Sequence, residues 1–359
     1  MKKSLIALAV LAASGAALAQ SSVTVYGRLD ASVGSAKVGT ITGGVGPVSN
    51  TQMFNSNLTS SRLGFRGVED LGGGLKAIFG IETGLQVDSP GTSNNTAPGG
   101  APTQLGDRAA FVGLSGGFGT VKLGRHDTSF DDIRDLMVSN NIFDSTHFAS
   151  TETIVSAGAN GGVGSFAGVG GLADYGDRAN NQIRYESPSF GGFSAGVSYG
   201  FGEAVKPAKT DVTAFNLRYK AGNLDVGYAY QENKAISAAL VDTSLEYNTL
   251  AAAYNFGSFR LSGGWNQAKN QTSRKSNTYS IGAVVPVGAI DFSLGYSTAK
   301  AKQGSATFEK GDAFSAAVVY NMSKRTRLYG ALTTGDIENA AGTKVRQRDI
   351  YAVGVAHVF

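Results

Sequence analysis

From Ser22 onward the chain alternates apolar and polar residues with a period of two, and the pattern returns in segment after segment. Val23, Val25, Leu29, Ala31 and Val33 share one face of the first segment; Thr24, Tyr26, Arg28, Asp30 and Ser32 share the other. Phe215, Leu217 and Tyr219 alternate with Asn216, Arg218 and Lys220, as Phe292, Leu294 and Tyr296 do with Ser293, Gly295 and Ser297. Side chains along an extended strand point to opposite sides in turn, so this period predicts strands with one apolar and one wet face. Sixteen are expected, near 22–34, 61–68, 74–87, 107–114, 120–126, 178–187, 193–201, 213–220, 224–232, 245–255, 259–268, 276–286, 289–299, 311–321, 326–335 and 347–359.

Two architectures produce such alternation. In a soluble sandwich the apolar face is the core; in an outer-membrane barrel it meets lipid, and the polar face surrounds water. Three features favour the barrel. Very short turns (Glu69–Gly73, Ser115–Gly119, Ser187–Gly192, Ala221–Asn223, Asn255–Ser258, Val287–Gly288) alternate with long polar segments such as Lys37–Ser60, Asp88–Gly106 and Lys269–Ser276. Aromatics flank those turns at Phe118, Phe190, Phe193, Phe256, Phe259 and Tyr320, where an interfacial girdle belongs. The last strand alternates Tyr351, Val353 and Val355 with small residues and ends on Phe359, which reads as a barrel-end and assembly signal. The expected fold is therefore all-β: a transmembrane antiparallel β-barrel of 16 strands with short periplasmic turns and long external loops. A barrel of that strand number encloses an aqueous channel, because diameter grows with strand number while side chains do not.

The first residues add an export signal. Lys2 and Lys3 precede an apolar run from Leu5 to Ala13, and Ala17-Leu18-Ala19 supplies a small-residue cleavage pattern. Residues 1–19 are expected to be a cleaved signal peptide, leaving 20–359 as the barrel domain. Gly reaches 50 of 359 residues while Pro stays at 7, a balance that suits tight turns and crowded strand faces rather than disorder. With Cys at 0 there is no disulfide scaffold and no thiol chemistry. Of the net charge of +4, Lys2 and Lys3 contribute two; the remaining +2 is too small to suggest nucleic acid.

Four stretches then resemble the Gram-negative general porins, in particular the trimeric β-proteobacterial type. They are Gln20–Gly27, Ser61–Phe79 (SRLGFRGVEDLGGGLKAIF), Asp107–Leu114 with Phe118–Arg125, and Tyr320–Thr326 with the closing His357–Phe359. The resemblance implies a 16-stranded barrel, a homotrimer, and a third loop folded into the lumen. It also implies that Arg62, Arg108 and Arg178 form a stacked basic cluster, with Arg28 at a further basic position.

The longest connection runs from about Asp127 to Asp177, after the fifth strand. Ser129-Phe-Asp-Asp132 reads as a helix start with Ser129 as N-cap, and Asp131, Asp132 and Asp135 are the candidate acidic side of a constriction. Strand parity turns Arg62 with Arg66, Arg178 with Arg184, and Arg28 toward the lumen, and Arg108 opens the fourth strand. Cations on the wall against carboxylates on the loop would set a transverse field across a narrow aqueous gap. Several arginines against few acids predict a weak-to-moderate anion preference.

An enzyme is not expected. His126, His147 and His357 lack the spacing of a metal site or a nucleophile–base pair, and the Gly-rich tracts Gly72–Gly74 and Gly161-Gly162 lack the Lys-Ser/Thr of a phosphate cradle. No cofactor or metal is expected. The stronger rival is a substrate-specific channel for phosphate, a sugar or a dicarboxylate. The expected surroundings are the outer membrane of a Gram-negative bacterium, with its lipid and lipopolysaccharide, and small hydrophilic solutes and ions as cargo.

Overall fold

A computed structural model describes residues 22–87, 105–137, 178–271 and 273–359. Residues 1–19, expected to be a signal peptide, most of Asp88–Gly106, the Gly158–Gly171 tract and His147 lie outside the described residues.

In chain order the strands are β1 (Ser22–Thr40), β2 (Asn50–Asn55), β3 (Arg62–Gly72), β4 (Leu75–Gly84), β5 (Ala109–Gly116) and β6 (Gly119–Asp127). After a helix, α1 (Asp131–Met137), come β7 (Arg178–Glu186), β8 (Phe193–Gly200), β9 (Val212–Ala221), β10 (Leu224–Asn233), β11 (Leu245–Asn255) and β12 (Arg260–Asn270). The last five are β13 (Arg274–Val287), β14 (Ile290–Gln303), β15 (Ala306–Asn321), β16 (Thr326–Asn339) and β17 (Lys344–Val358). From β3 on, each pairs antiparallel with its sequence neighbour, and β17 closes on β1 over Arg28–Thr40. Closure leaves the sheet without an open edge, which a strand in hydrocarbon cannot tolerate.

Seventeen segments make sixteen staves, because β2 and β3 are two halves of one. Both pair with β1: Asn55 lies opposite Ala31, and Arg62 opposite Arg28. Six residues, Ser56–Ser61, are inserted where β1 advances by only three, so they leave the ladder and turn inward. Asp30 on the polar face of β1 holds them. Its Oδ2 accepts from the backbone N–H of Leu58 at 2.6 Å and of Thr59 at 2.7 Å, and its Oδ1 accepts from the Tyr329 hydroxyl at 2.6 Å. Phe54 and Leu58 pack against Val319, Tyr329, Ile350 and Ala352 of β15–β17. The sequence pattern alone places Lys37–Ser60 in a loop. In the structure β1 continues to Thr40 and β2 is strand, because Asp30 supplies partners for backbone that would otherwise need water.

The two faces reverse the order of a soluble protein. Val25, Val197, Leu294, Tyr351 and Val353 stand exposed on the outside, whereas Thr249, Ser297, Ser315 and Thr333 are buried on the inside. Connections at one end are short: 73–74, 117–118, 187–192, 222–223, 256–259, 288–289 and 322–325. Phe118, Phe190, Phe193 and Phe256 are exposed beside them, and Phe256 stacks on Phe259 with ring centroids 4.5 Å apart. At the other end lies the 128–177 connection, but the last three hairpins there also turn within a few residues. Most of Lys269–Ser276, a loop by its polarity, is strand: β13–β17 run 14 to 16 residues, longer than the roughly 9–11 that a bilayer needs, and carry their pairing past it.

Phe359 sits at the seam. Its backbone exchanges hydrogen bonds with Gly27 at 3.0 and 3.1 Å, and its ring lies where a Cβ on Gly27 would come within 2.4 Å. Only glycine leaves room for that ring.

Candidate functional site

Helix α1 is the inward-folded part of the long connection. Phe130, Ile133 and Leu136 are fully or almost fully buried against Ala214, Ala229, Tyr247, Ala251 and Ala268 on the inner face of β9–β12. Small residues on that wall give the helix its seat, and Gly227 is the tightest of them: a Cβ there would meet Ile133 Cδ1 at 2.3 Å. Ser129 is not the N-cap. Its Oγ is buried without a hydrogen bond, while its backbone N–H donates to Ser198 Oγ at 3.1 Å and its carbonyl accepts from Asn216 Nδ2. The helix is entered instead through a turn in which the Asp131 N–H donates to the Thr128 carbonyl at 3.2 Å, and docking to the wall outweighs local capping.

Polar contacts lock the same segment. Asp132 Oδ2 accepts from Arg184 and from Asn216 Nδ2, the latter at 2.8 Å. Arg184 also donates to the Asp127 and Thr128 carbonyls at 2.8 and 3.1 Å and approaches Glu186 at 3.0 Å. Lys122 reaches the same Glu186 oxygen at 2.8 Å. Asp131 pairs with Arg134 one helical turn on, at 2.9 Å. Of the three candidate loop acids, two are thus engaged by arginines, and Asp135 is exposed.

On the other wall the structure brings Arg28, Arg62 and Arg108 together. Arg28 Nε and Arg62 Nε both donate to the Ser60 carbonyl, at 3.0 and 3.2 Å, so the inserted Ser56–Ser61 segment orients two guanidiniums with one oxygen. Arg62 and Arg108 share one carboxylate oxygen, Glu82 Oε1, at 3.2 and 2.7 Å, while Glu82 Oε2 accepts from the Tyr26 hydroxyl at 3.0 Å. Arg66 is exposed and lies over the Tyr26 ring, 5.2 Å from its centroid. Three cations therefore converge on one acid and one carbonyl, which offsets part of their repulsion and fixes their heads in place.

Arg178 and Arg184 belong to the other group. Arg178 approaches Asp127 at 2.9 Å, and Arg184 serves the helix anchor. Counting by twos along β7 does not carry from one to the other, because the β6–β7 register shifts between Gly124 and His126, and Asn181 has a positive φ of 48°. Among the described residues, no group of three or more His, Asp or Glu is placed to hold a metal ion.

A closed barrel with a folded-in segment and a basic wall is a narrowed aqueous passage. The family model for Gram-negative porins matches residues 5–340. The chain belongs to that family. Outer membrane porin protein 32 of Delftia acidovorans is 37% identical over 371 residues, covering 99% of this porin and 95% of that protein. The solved anion-selective porin from Comamonas acidovorans superposes with a TM-score of 0.72 at 27% identity, over 95% of this porin and all of that chain. A trimer form of OmpT from Vibrio cholerae shares the fold with a TM-score of 0.64 at 17% identity, over 94% and 99% of the two chains. This porin is an outer-membrane diffusion channel, and the relatives it matches are channels.

Two parts of the porin's site escape a reading of the sequence. Glu82 is visible on the polar face of its strand, two residues after Gly80, but only the register that places Gly64 between it and Tyr26 shows it as the common acceptor. The Ser56–Ser61 insertion reads as an ordinary polar loop, and its one signal is Asp30, an acid in mid-strand.

Proposed function

We propose that this porin passes small anions in preference to cations, without selecting one solute. The observation that carries the proposal is the imbalance between the two walls. Arg28, Arg62 and Arg108 face the channel, with Glu82 the acid shared by Arg62 and Arg108, whereas Asp131 and Asp132 on the opposite segment are engaged by Arg134 and Arg184. A passing anion meets a net positive wall in a gap bounded by low-dielectric protein, where such fields are focused. The similar porin of Comamonas acidovorans is anion-selective, in agreement with this reading. Arg28, Arg62, Arg66 and Arg108 form the basic side and Asp135 the remaining acidic element, with Arg178 and Arg184 serving to seat the loop. Residues 1–19 act as a cleaved export signal, the assembled unit is a homotrimer, and the chain catalyses no reaction.

Reversal potential in a KCl gradient across a planar bilayer is the test. The expected zero-current potential lies on the chloride side; a clear cation preference overturns the proposal. Current that saturates with phosphate, a sugar or a dicarboxylate would replace free diffusion with a specific channel. Crosslinking in mild detergent tests the trimer, and amino-terminal sequencing of the exported protein, expected to begin at Gln20, tests the signal.

A further inference from the structure

The wall that carries α1 holds a second group of cations, on the short-turn side of the helix. Parity turns Arg218 and Lys220 of β9, Asp225 of β10 and Arg260 of β12 toward the lumen, the face on which Gly227 meets Ile133. Lys220 lies directly opposite Asp225 and is the cross-strand neighbour best placed to pair with it. Arg218 takes the carboxylate instead. Its Nε and Nη2 donate to the two oxygens at 2.6 and 2.5 Å, and Lys220 Nζ is left 3.8 Å away on an exposed side chain. A planar guanidinium matches both carboxylate oxygens at once, which an ammonium cannot do. Arg260 acts on the same acid across β11, where the residue beside Asp225 is the small Ala253. Its side chain makes no hydrogen bond or ion pair among the described residues, and Nη1 is buried without a partner. Asp132 and Asp135 of α1 act on Arg218 from above, but Asp132 is engaged by Arg184. Three cations thus gather around one carboxylate.

This group is set apart in depth from the arginines of the other wall. Arg62 stands ten residues before the end of β3 and Arg218 only three before the end of β9, a difference of seven; Arg260 opens β12 directly after a short turn. Seven residues rise about 23 Å along a strand, or about 18 Å along the barrel axis at the usual tilt. The screening length at 0.1 M salt is about 10 Å, so the two groups act on a passing ion one after the other. Their make-up is nevertheless the same, three cations and one acid, with Glu82 on one wall and Asp225 on the other. An ion leaving the gap beside α1 on the short-turn side meets a second net positive surface before it reaches the mouth.

We propose that Arg218, Lys220 and Arg260 form a second anion station on the lumen wall of β9–β12, below α1, which concentrates small monovalent anions such as chloride at the short-turn mouth. Asp225 holds Arg218 in place and cancels one of the three charges. Lys220 and Arg260 supply the charge that remains. The station rests on the reading of the pore as an anion channel and deepens it, through different residues and at a different depth.

Zero-current potentials of the full mature porin in a KCl gradient test it. Lys220→Gln with Arg260→Gln leaves the Arg218–Asp225 pair intact and should lower the chloride-to-potassium permeability ratio about threefold near 0.1 M salt, and much less near 1 M. Asp225→Asn should raise the ratio. A merely loosened wall would not move the potential in opposite directions for these two variants, so the signs separate charge from structure. Arg260→Lys should recover most of the shift caused by Arg260→Gln. Adding Arg62→Gln to the double variant should multiply the separate fold-changes, as for sites further apart than the screening length. If the double variant leaves the potential where it was, or if Asp225→Asn moves it toward cations, the station is overturned while the basic wall around Glu82 stands. Should the wild type itself prefer cations, the reading of that wall fails, and the double variant must still shift the potential further toward cations or the station falls too. Should the double variant fail to fold, Lys220→Gln alone, at an exposed side chain, must move the potential toward cations at low salt or the assignment falls.

Discussion

Replacing Glu82 with Gln removes one negative charge from the basic wall and little else. The amide oxygen remains an acceptor for Arg62 and Arg108, which stand at 3.2 and 2.7 Å from the carboxylate, and the side-chain volume is unchanged. Two unit charges about 4 Å apart interact by about 1 kcal/mol in water and by about 4 kcal/mol at an effective dielectric of 20. A hydrated gap lies nearer the first limit, so the substitution should favour a passing chloride by about 1 kcal/mol, roughly fivefold in local occupancy, and disfavour potassium by a similar amount. The two effects multiply, so the chloride-to-potassium permeability ratio should rise by up to roughly 25-fold at low salt, read as a shift of the zero-current potential in a salt gradient. The shift should be large near 0.1 M salt, where the screening length is about 10 Å, and should shrink near 1 M, where it is about 3 Å. An unchanged potential at low salt, or a move toward cations, would refute the placement of this carboxylate beside the ion path.

Arg184→Gln should move the potential the other way, because it deletes a cation and uncovers the Asp132 carboxylate that it engages; the same bilayer recording decides. Gly227→Ala drives a methyl to within 2.3 Å of Ile133 Cδ1 and should displace α1, changing single-channel conductance. Ile133→Ala made in the same chain should restore much of the original conductance, a double-mutant cycle that fails if the two do not touch. Alone, Ile133→Ala leaves a void under a fully buried side chain and should loosen the helix by about 2–5 kcal/mol, seen as added open-channel noise. Asp30→Asn turns an amide donor toward either the Leu58 and Thr59 N–H groups or the Tyr329 hydroxyl. It should cost about 1–3 kcal/mol for each polar group left unsatisfied, measured as a lower denaturant midpoint in micelles.

The barrel is legible in the sequence because its signal is repeated. A strand in this sheet must hide every side chain of one parity in lipid and wet every one of the other, so each segment states its own direction, as Phe292-Ser293-Leu294 and Tyr351-Ala352-Val353 do. The site is legible only where a side chain's role follows from that parity. Arg28 and Arg62 stand out because they alternate with Leu29 and Leu63, and register then sets them side by side. The step from Arg184 to Arg178 fails to carry because a register shift breaks the count of two, and no local residue announces it. Glu82 and Asp30 escape for a different reason: their importance lies in contacts across strands, with Asp30 and Tyr329 separated by 299 positions. Ser129 has the chemistry of a cap, yet the helix is positioned by Phe130 and Ile133 burying themselves on the wall.

The seam between β1 and β17 has a bearing on biogenesis. It joins the first stave to the last through thirteen opposed residue pairs, from Arg28 with Val358 to Thr40 with Arg346. Until β17 is delivered, β1 and the most recently folded stave both present a bare ladder of N–H and C=O groups. Such an intermediate is sticky in water and insoluble in lipid, so the cylinder must be guarded by another protein or zipped shut in one concerted event. Insertion into the bilayer and ring closure are then the same step, and a chain halted one stave short is debris rather than a smaller pore.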